Sequence, residues 1–198
     1  MTVTRLELEM ARGLTVPDLI GPRVRLLFVG INPGLRSAVA QAHFAPRGNR
    51  FFGALARAGI TDRVIDASAG MTAADEAHLL AQGVGITNLV ARATARADEL
   101  STAELADGAR LVVEKVQAWR PTVVAVLGVT AYRQAFARPR ATLGPQSEDL
   151  GGAELWVVPN PSGRNAHATL DTLAVAYRQV AMAAGLTLHQ FARDGGRA

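Results

Sequence analysis

Three apolar runs of strand length punctuate this chain: Val24 to Val29, Val123 to Leu127 and Leu155 to Val158. Each is nearly unbroken rather than alternating, the pattern of a strand buried on both faces, and such a sheet needs helices on either side. Helical patterns fall between these runs. Asn49 can cap a helix whose apolar face is Phe51, Phe52, Leu55 and Ala58, with Gly59 to end it. Ala73 to Ala81 reads as a short helix with Leu79 and Leu80 inward, and Gly85 to Val90 as a short strand. Ser101 with Glu104 forms a capping box. The helix it opens lines up Leu105, Ala109, Val112, Val116 and Trp119 until Pro121 stops it, although Gly108 in its interior costs about 1 kcal/mol of propensity. Thr130 to Phe136 and Leu170 to Ala184 read as the remaining helices, the last burying Leu170, Leu173, Ala174, Tyr177 and Val180 before Gly185. Strands alternating with helices predict an α/β fold, a three-layer α/β/α sandwich around a short, mostly parallel central sheet.

The 198 residues suit one domain over 22–185, with a peripheral N-terminal arm over 1–21 and a frayed C-terminal tail over 186–198. Thr4 to Leu14 has room for a helical turn or two. Two polar stretches, Gly30 to Gly48 and Pro139 to Gly152, read as loops. The absence of cysteine excludes disulfides, thiol catalysis and cysteine-ligated clusters. No apolar stretch reaches the length of about 20 residues that spans a bilayer, and Met1 to Met10 lacks the apolar core of a signal peptide. A cytoplasmic protein with no membrane partner is expected. The net charge of +4 is compatible with a polyanion partner without requiring one.

Two of the apolar runs end abruptly in loops rich in Asn, Pro and Gly: Gly30-Ile31-Asn32-Pro33-Gly34 and Pro159-Asn160-Pro161-Ser162-Gly163-Arg164-Asn165. Open α/β sheets carry their chemistry at the carboxyl ends of strands, so these loops can face each other across one cleft. The first is not a phosphate loop, since it lacks Gly-Lys-Ser/Thr and the Gly-x-Gly-x-x-Gly spacing. Asn32 is neither acid nor base; it can aim a water through its carbonyl, or it can be a turn-former bonded to its own backbone. No Ser-His-Asp triad is readable, and His43, His78, His167 and His189 make no metal-ligand pattern. His78 reads as a helix-surface residue and His189 as a tail residue, while His43 and His167 flank the two loops. Phe44 is either a satellite core residue or a stacking surface for a planar ligand. Arg164 is either a solvated side chain or one that inserts between bases or binds phosphate.

Taken together, these stretches resemble the mismatch-specific uracil/thymine-DNA glycosylases of the uracil-DNA glycosylase superfamily. Gly30-Ile31-Asn32-Pro33-Gly34-Leu35 is similar to that family's first motif, and Asn49-Arg50-Phe51-Phe52 to the segment that follows it. Gly85 to Val90, with Arg92 and Thr94, resembles a third stretch, Gly144-Pro145-Gln146 a turn, and Leu155 to Gly163 the last motif. The likeness spans roughly residues 22–182, with the motifs in order.

The resemblance implies a monofunctional enzyme of base excision repair. It would hydrolyse the N-glycosidic bond of uracil mispaired with guanine in double-stranded DNA, with thymine or ethenocytosine as further substrates, and leave an abasic site. It would need no cofactor, no metal and no obligate protein partner. Asn32 would position the attacking water. Ile31, Phe44, His43, Asn88 and Asn160 would form the base pocket. Ser162, Gly163, Arg164 and Asn165 would lie on DNA as the wedge, and Ala38 and His43 would border the space for a thymine methyl. An asparagine that aims water, in place of a carboxylate base, implies slow chemistry with little pH dependence near neutrality. The chain departs from the bacterial mismatch enzymes at Asn88, where Lys is common, at Arg164, where Leu is common, and at Ala166, where Arg is often found. The alternatives are a superfamily glycosylase with single-strand or hypoxanthine preference, a lesion-binding protein with negligible turnover, and a small-molecule α/β enzyme such as a nucleosidase.

Overall fold

The computed structural model describes residues 3–163, 165 and 168–190. Along the chain run α1 (Arg5–Met10), β1 (Leu26–Gly30), α2 (Leu35–Ala40), α3 (Phe51–Ala58), α4 (Ala73–Gln82) and β2 (Val84–Asn88). They are followed by α5 (Thr102–Trp119), β3 (Val123–Leu127), α6 (Val129–Ala135), β4 (Gly144–Leu150), β5 (Ala153–Val158) and α7 (Leu170–Ala183). The strands form one sheet in the order β2-β1-β3-β5-β4, parallel except for the antiparallel β4 at one edge.

Alternation along each strand explains the layers. Leu26 and Phe28 of β1, with Ala125 and Leu127 of β3, pack under α3, α4 and α7. Leu27 and Val29, with Val124 and Val126, pack under α5 and α6. Both faces of the sheet are therefore dry, and the central strands read as continuous apolar sequence. The expected α/β/α sandwich is what the chain adopts.

Helix ends follow their chemistry. Ser101 and Glu104 close the capping box of α5, and Thr169 with Thr172 closes that of α7. Gly108 is explained by packing: a side chain there would collide with the Leu89 carbonyl, so the helix lies directly on the chain leaving β2.

Four expectations fail in instructive ways. The stretch 139–152 contains β4, whose alternating burial and charged Glu148 and Asp149 mark a protected edge strand rather than a loop. The stretch 30–48 contains α2, a short helix whose cap, Gly34, offers no side-chain bond. The arm is not peripheral throughout, since Leu19 is buried in the main core and pairs with Ile86. Residues 186–190 are packed rather than frayed: Leu186 is buried and the His189 N–H donates to the Gly59 carbonyl at 2.7 Å.

Candidate active site

Because β1, β2, β3 and β5 run parallel, their carboxyl ends share one edge of the sheet. The chain moves from β1 to β2 on one side and then to β3 on the other, so the crevice between β1 and β3 is a topological switch point, where α/β sheets bind ligands. A cleft of about 1310 Å³ opens there. One wall carries Ile31, Asn32, His43 and Phe44, Asn88 lies at the base, and Asn160, Ser162, Gly163 and Asn165 form the opposite wall. Loops about 130 residues apart thus meet, as their sequences led us to expect. Arg164, Ala166 and His167 lie outside the described residues.

Asn32 is held in one orientation. Its Nδ2 donates to Thr94 Oγ1 at 2.7 Å and to the Arg92 carbonyl at 3.0 Å. Thr94 Oγ1 donates its only proton to the Arg96 carbonyl at 2.7 Å, so toward Asn32 it can only accept. The atom facing it is therefore the amide nitrogen, and Oδ1 is the acceptor left for the cleft. Thr94 is 1% exposed. Arg92, whose carbonyl accepts from Asn32, is fixed in turn: its guanidinium pairs with Glu104, the same carboxylate that caps α5 through Ser101. The Arg92 guanidinium and the Ser101 donors pull the Glu104 carboxyl down to about 2. The turn-former reading of Asn32 describes at most a minor contact, a 3.2 Å bond to the Pro33 carbonyl.

Phe44 and His43 hang from α2. The Ala42 N–H donates to the Ser37 carbonyl and the Ala45 N–H to Ser37 Oγ. Phe44 is in the left-handed region at φ 56°, a costly conformation for a bulky residue. Its ring stacks on Phe51 at 4.0 Å, which joins it to the main core while it still lines the cleft. His43 is buried between the Pro17 carbonyl and Asn88. Ala38 does not reach the cleft; it is buried in a small cluster with Ala11, Leu35 and Ala93. His78 and His189 lie near each other at α4 and the C-terminal segment, outside the cleft lining.

The second wall is tied to the start of α3 by Arg50, whose role is not readable from sequence. Its guanidinium donates to the carbonyls of Ser162 at 2.6 Å, Asn165 at 2.9 Å and Ala168, and its main-chain N–H to that of Pro161. A charge spent on carbonyls more than 110 residues away fixes the loop without a carboxylate. Within the loop, Asn160 Oδ1 accepts from the Ser162 N–H and the Asn160 carbonyl from Asn165 Nδ2. The Asn160 Nδ2 is thus the group of that side chain turned to the cleft as a donor. Gly163 lies against the Gly48 carbonyl.

Residues 17–181 match the family model described as the uracil DNA glycosylase superfamily. The chain belongs to the uracil DNA glycosylase superfamily. Glycosylase-type activity and binding to DNA accompany that membership. The fold is also that of the solution NMR structure of a provisionally named uracil DNA glycosylase from Methanosarcina acetivorans. The two align with a TM-score of 0.55 at 16% identity, over 86% of this chain and 98% of the other. In this superfamily member, Asn32 and Asn88 line the cleft at the ends of β1 and β2, together with a phenylalanine, Phe44, stacked on Phe51.

Proposed function

We propose that this chain is a monofunctional DNA glycosylase that releases uracil mispaired with guanine from duplex DNA and leaves an abasic site. The observation that carries this reading is the locked amide of Asn32. An acceptor fixed in the lining of the cleft can hold a water by one proton and present its lone pair to the sugar carbon. It cannot take a full proton as a carboxylate would, so it suits a reaction in which the base departs largely before water attacks.

The rest of the cleft supports this course. The nucleotide must leave the stack to be reached, at a cost of a few kcal/mol that is smaller at a wobble pair than at a matched one. Phe44 offers a π-surface to the extruded base, and such stacking is worth about 1–3 kcal/mol. Asn160 Nδ2 offers a donor to the extruded nucleotide, and fixed donors aimed at developing negative charge stabilise it without reorganising. The loop bearing Ser162, Gly163 and Asn165, braced by Arg50, is a stiff element to press on the duplex while the base is out.

The test is single-turnover cleavage of end-labelled duplexes containing U·G, T·G, ethenoC·G or U·A, with single-stranded uracil alongside. Alkali reveals abasic sites, and an untreated lane reports nicking. Alkali-dependent cleavage fastest at U·G is expected. Binding without cleavage in any lane would leave a lesion-binding protein, and release fastest from single strands would remove the mismatch assignment.

A further inference from the structure

The loop between α6 and β4 is held at three points by side chains. Arg133 Nε donates to the Ala141 carbonyl at 2.8 Å. The Gln146 side-chain amide donates to the Thr142 carbonyl at 3.0 Å and to the Gly144 carbonyl at 2.9 Å. These three carbonyls surround one residue, Leu143, and Gly144 beyond it is at φ 114°, a conformation that favours glycine. What the braces present is an apolar side chain 51% exposed. An apolar recess of about 210 Å³ lies against it, lined also by Trp156, Pro159, Ala176 and Gln179. Collapse into that recess would remove apolar surface from water, yet the bonds to residues 141, 142 and 144 keep Leu143 half out. The same residue lines the main cleft, so the exposed patch is continuous with it.

Charge and position point to what covers it. Of the three arginines beside this loop, Arg138 pairs with Glu148 at 2.6 Å and Arg133 is engaged by a carbonyl. Arg140 is exposed and has no acceptor among the described residues. Gly144, which opens β4, pairs with Val157 near the end of β5, so Leu143 stands at the same edge of the sheet as the ends of the parallel strands. In the order β1-β3-β5-β4 it is three strands from the end of β1, about 14 Å at about 4.8 Å per strand. That span equals about four base-pair steps of DNA.

We propose that Leu143 and Arg140 make a second contact with duplex DNA, on one flank of the target nucleotide and about four base pairs from it. Arg140 takes a backbone phosphate, and Leu143 is covered by the apolar edges of the deoxyriboses beside that phosphate. This rests on the duplex reading above and adds a flank and a length to it. DNA is the occupant because the patch continues the cleft and carries a cation without an anion; a protein partner would need no register with the target. A second attachment on a braced loop keeps the duplex from pivoting about the cleft while the nucleotide is out.

The test is binding, followed by anisotropy, to duplexes carrying a tetrahydrofuran abasic analogue opposite guanine. One flank is kept at about ten base pairs while the other is varied from about two to about ten, in both orientations. Affinity of the parent should rise about tenfold as one flank, and not the other, passes about four base pairs. Arg140→Ala should lose most of that rise and lower the slope of log K against log salt by about 0.9. Leu143→Ser should bind the long duplex about fivefold more weakly with the slope unchanged. Both variants should match the parent once that flank is cut to two or three pairs. Both side chains are exposed, so the core is untouched by either change. Losses of equal size on short and long flanks overturn the inference. Variants that match the parent at every length also overturn it, and leave Leu143 to a protein partner. Flank dependence without cleavage of U·G duplex would sink the glycosylase reading and leave this one standing; cleavage without flank dependence would do the reverse.

Discussion

Asn32 and Asn88 stand beside each other at the ends of β1 and β2, and each has its amide nitrogen engaged and its oxygen toward the cleft. They differ in what holds them. Asn32 is gripped by a hydroxyl and backbone carbonyls, none of which changes protonation in the working range of a protein. Asn88 is gripped by an imidazole, whose lone pair exists only while the ring is neutral. Side chains of one kind, one strand apart, are thus held in one case by partners that do not titrate and in the other by one that can. The reliability of a side-chain amide is a property of its neighbours, and reading the residue alone misses it.

The sharpest way to break this comparison is Asn32→Ala. It should slow single-turnover cleavage about 10²–10³-fold, the scale for losing one group that acts on the transition state, while duplex affinity by anisotropy stays within about threefold. A comparable loss of affinity would mean that Asn32 holds DNA rather than water. Thr94→Val comes next. It keeps the shape but removes the acceptor that fixes Asn32, so the rate should fall about tenfold, and stability by about 1 kcal/mol as measured by urea unfolding. A rate like that of the parent would show that the Arg92 carbonyl alone suffices.

The smallest effect concerns acid. The Glu104 carboxyl is lowered in the folded protein, so its contribution to stability is present above its ordinary range, near 4.5, and is lost only as pH falls toward about 2. The Arg92–Glu104 pair that supports Asn32 therefore persists from pH 8 to 5. Glu104→Gln should leave the shape of the pH–rate profile over that range unchanged, with a rate within about threefold of the parent, as exposed pairs contribute little. A new inflection in that window would mean that the Arg92–Glu104 pair titrates within it.

What was legible in the sequence follows from where information resides. β1 and β3 could be read because burial on both faces leaves no room for polar residues, β5 because four apolar residues close it, and α5 because its cap lies within four residues of its start. β4 escaped because edge strands hide behind charge, and α2 because six residues without a capping side chain carry almost no periodic signal. Motif order put the described residues of both loops in one cleft, but it could not show their grip on one another. Thr94 meets Asn32 across 62 positions, Asn88 meets His43 across 45, and Arg50 reaches Ala168 across 118. Such pairings have no local periodicity, since they exist only once the sheet has assembled.

The strand order also bears on how the protein reaches its working state. β1, which leads into Asn32, and β5, which leads into Asn160, are not neighbours; β3 lies between them and is made more than ninety residues after β1. A nascent chain therefore exposes the apolar flank of β1 for the whole time taken to synthesise α2 through α5, with no partner strand but β2. Folding should be slow for a chain of this size, because parallel pairings close long loops before they are rewarded. The second wall, which follows β5, is then the last part of the cleft to be made, so the site is complete only once β5 has joined β3.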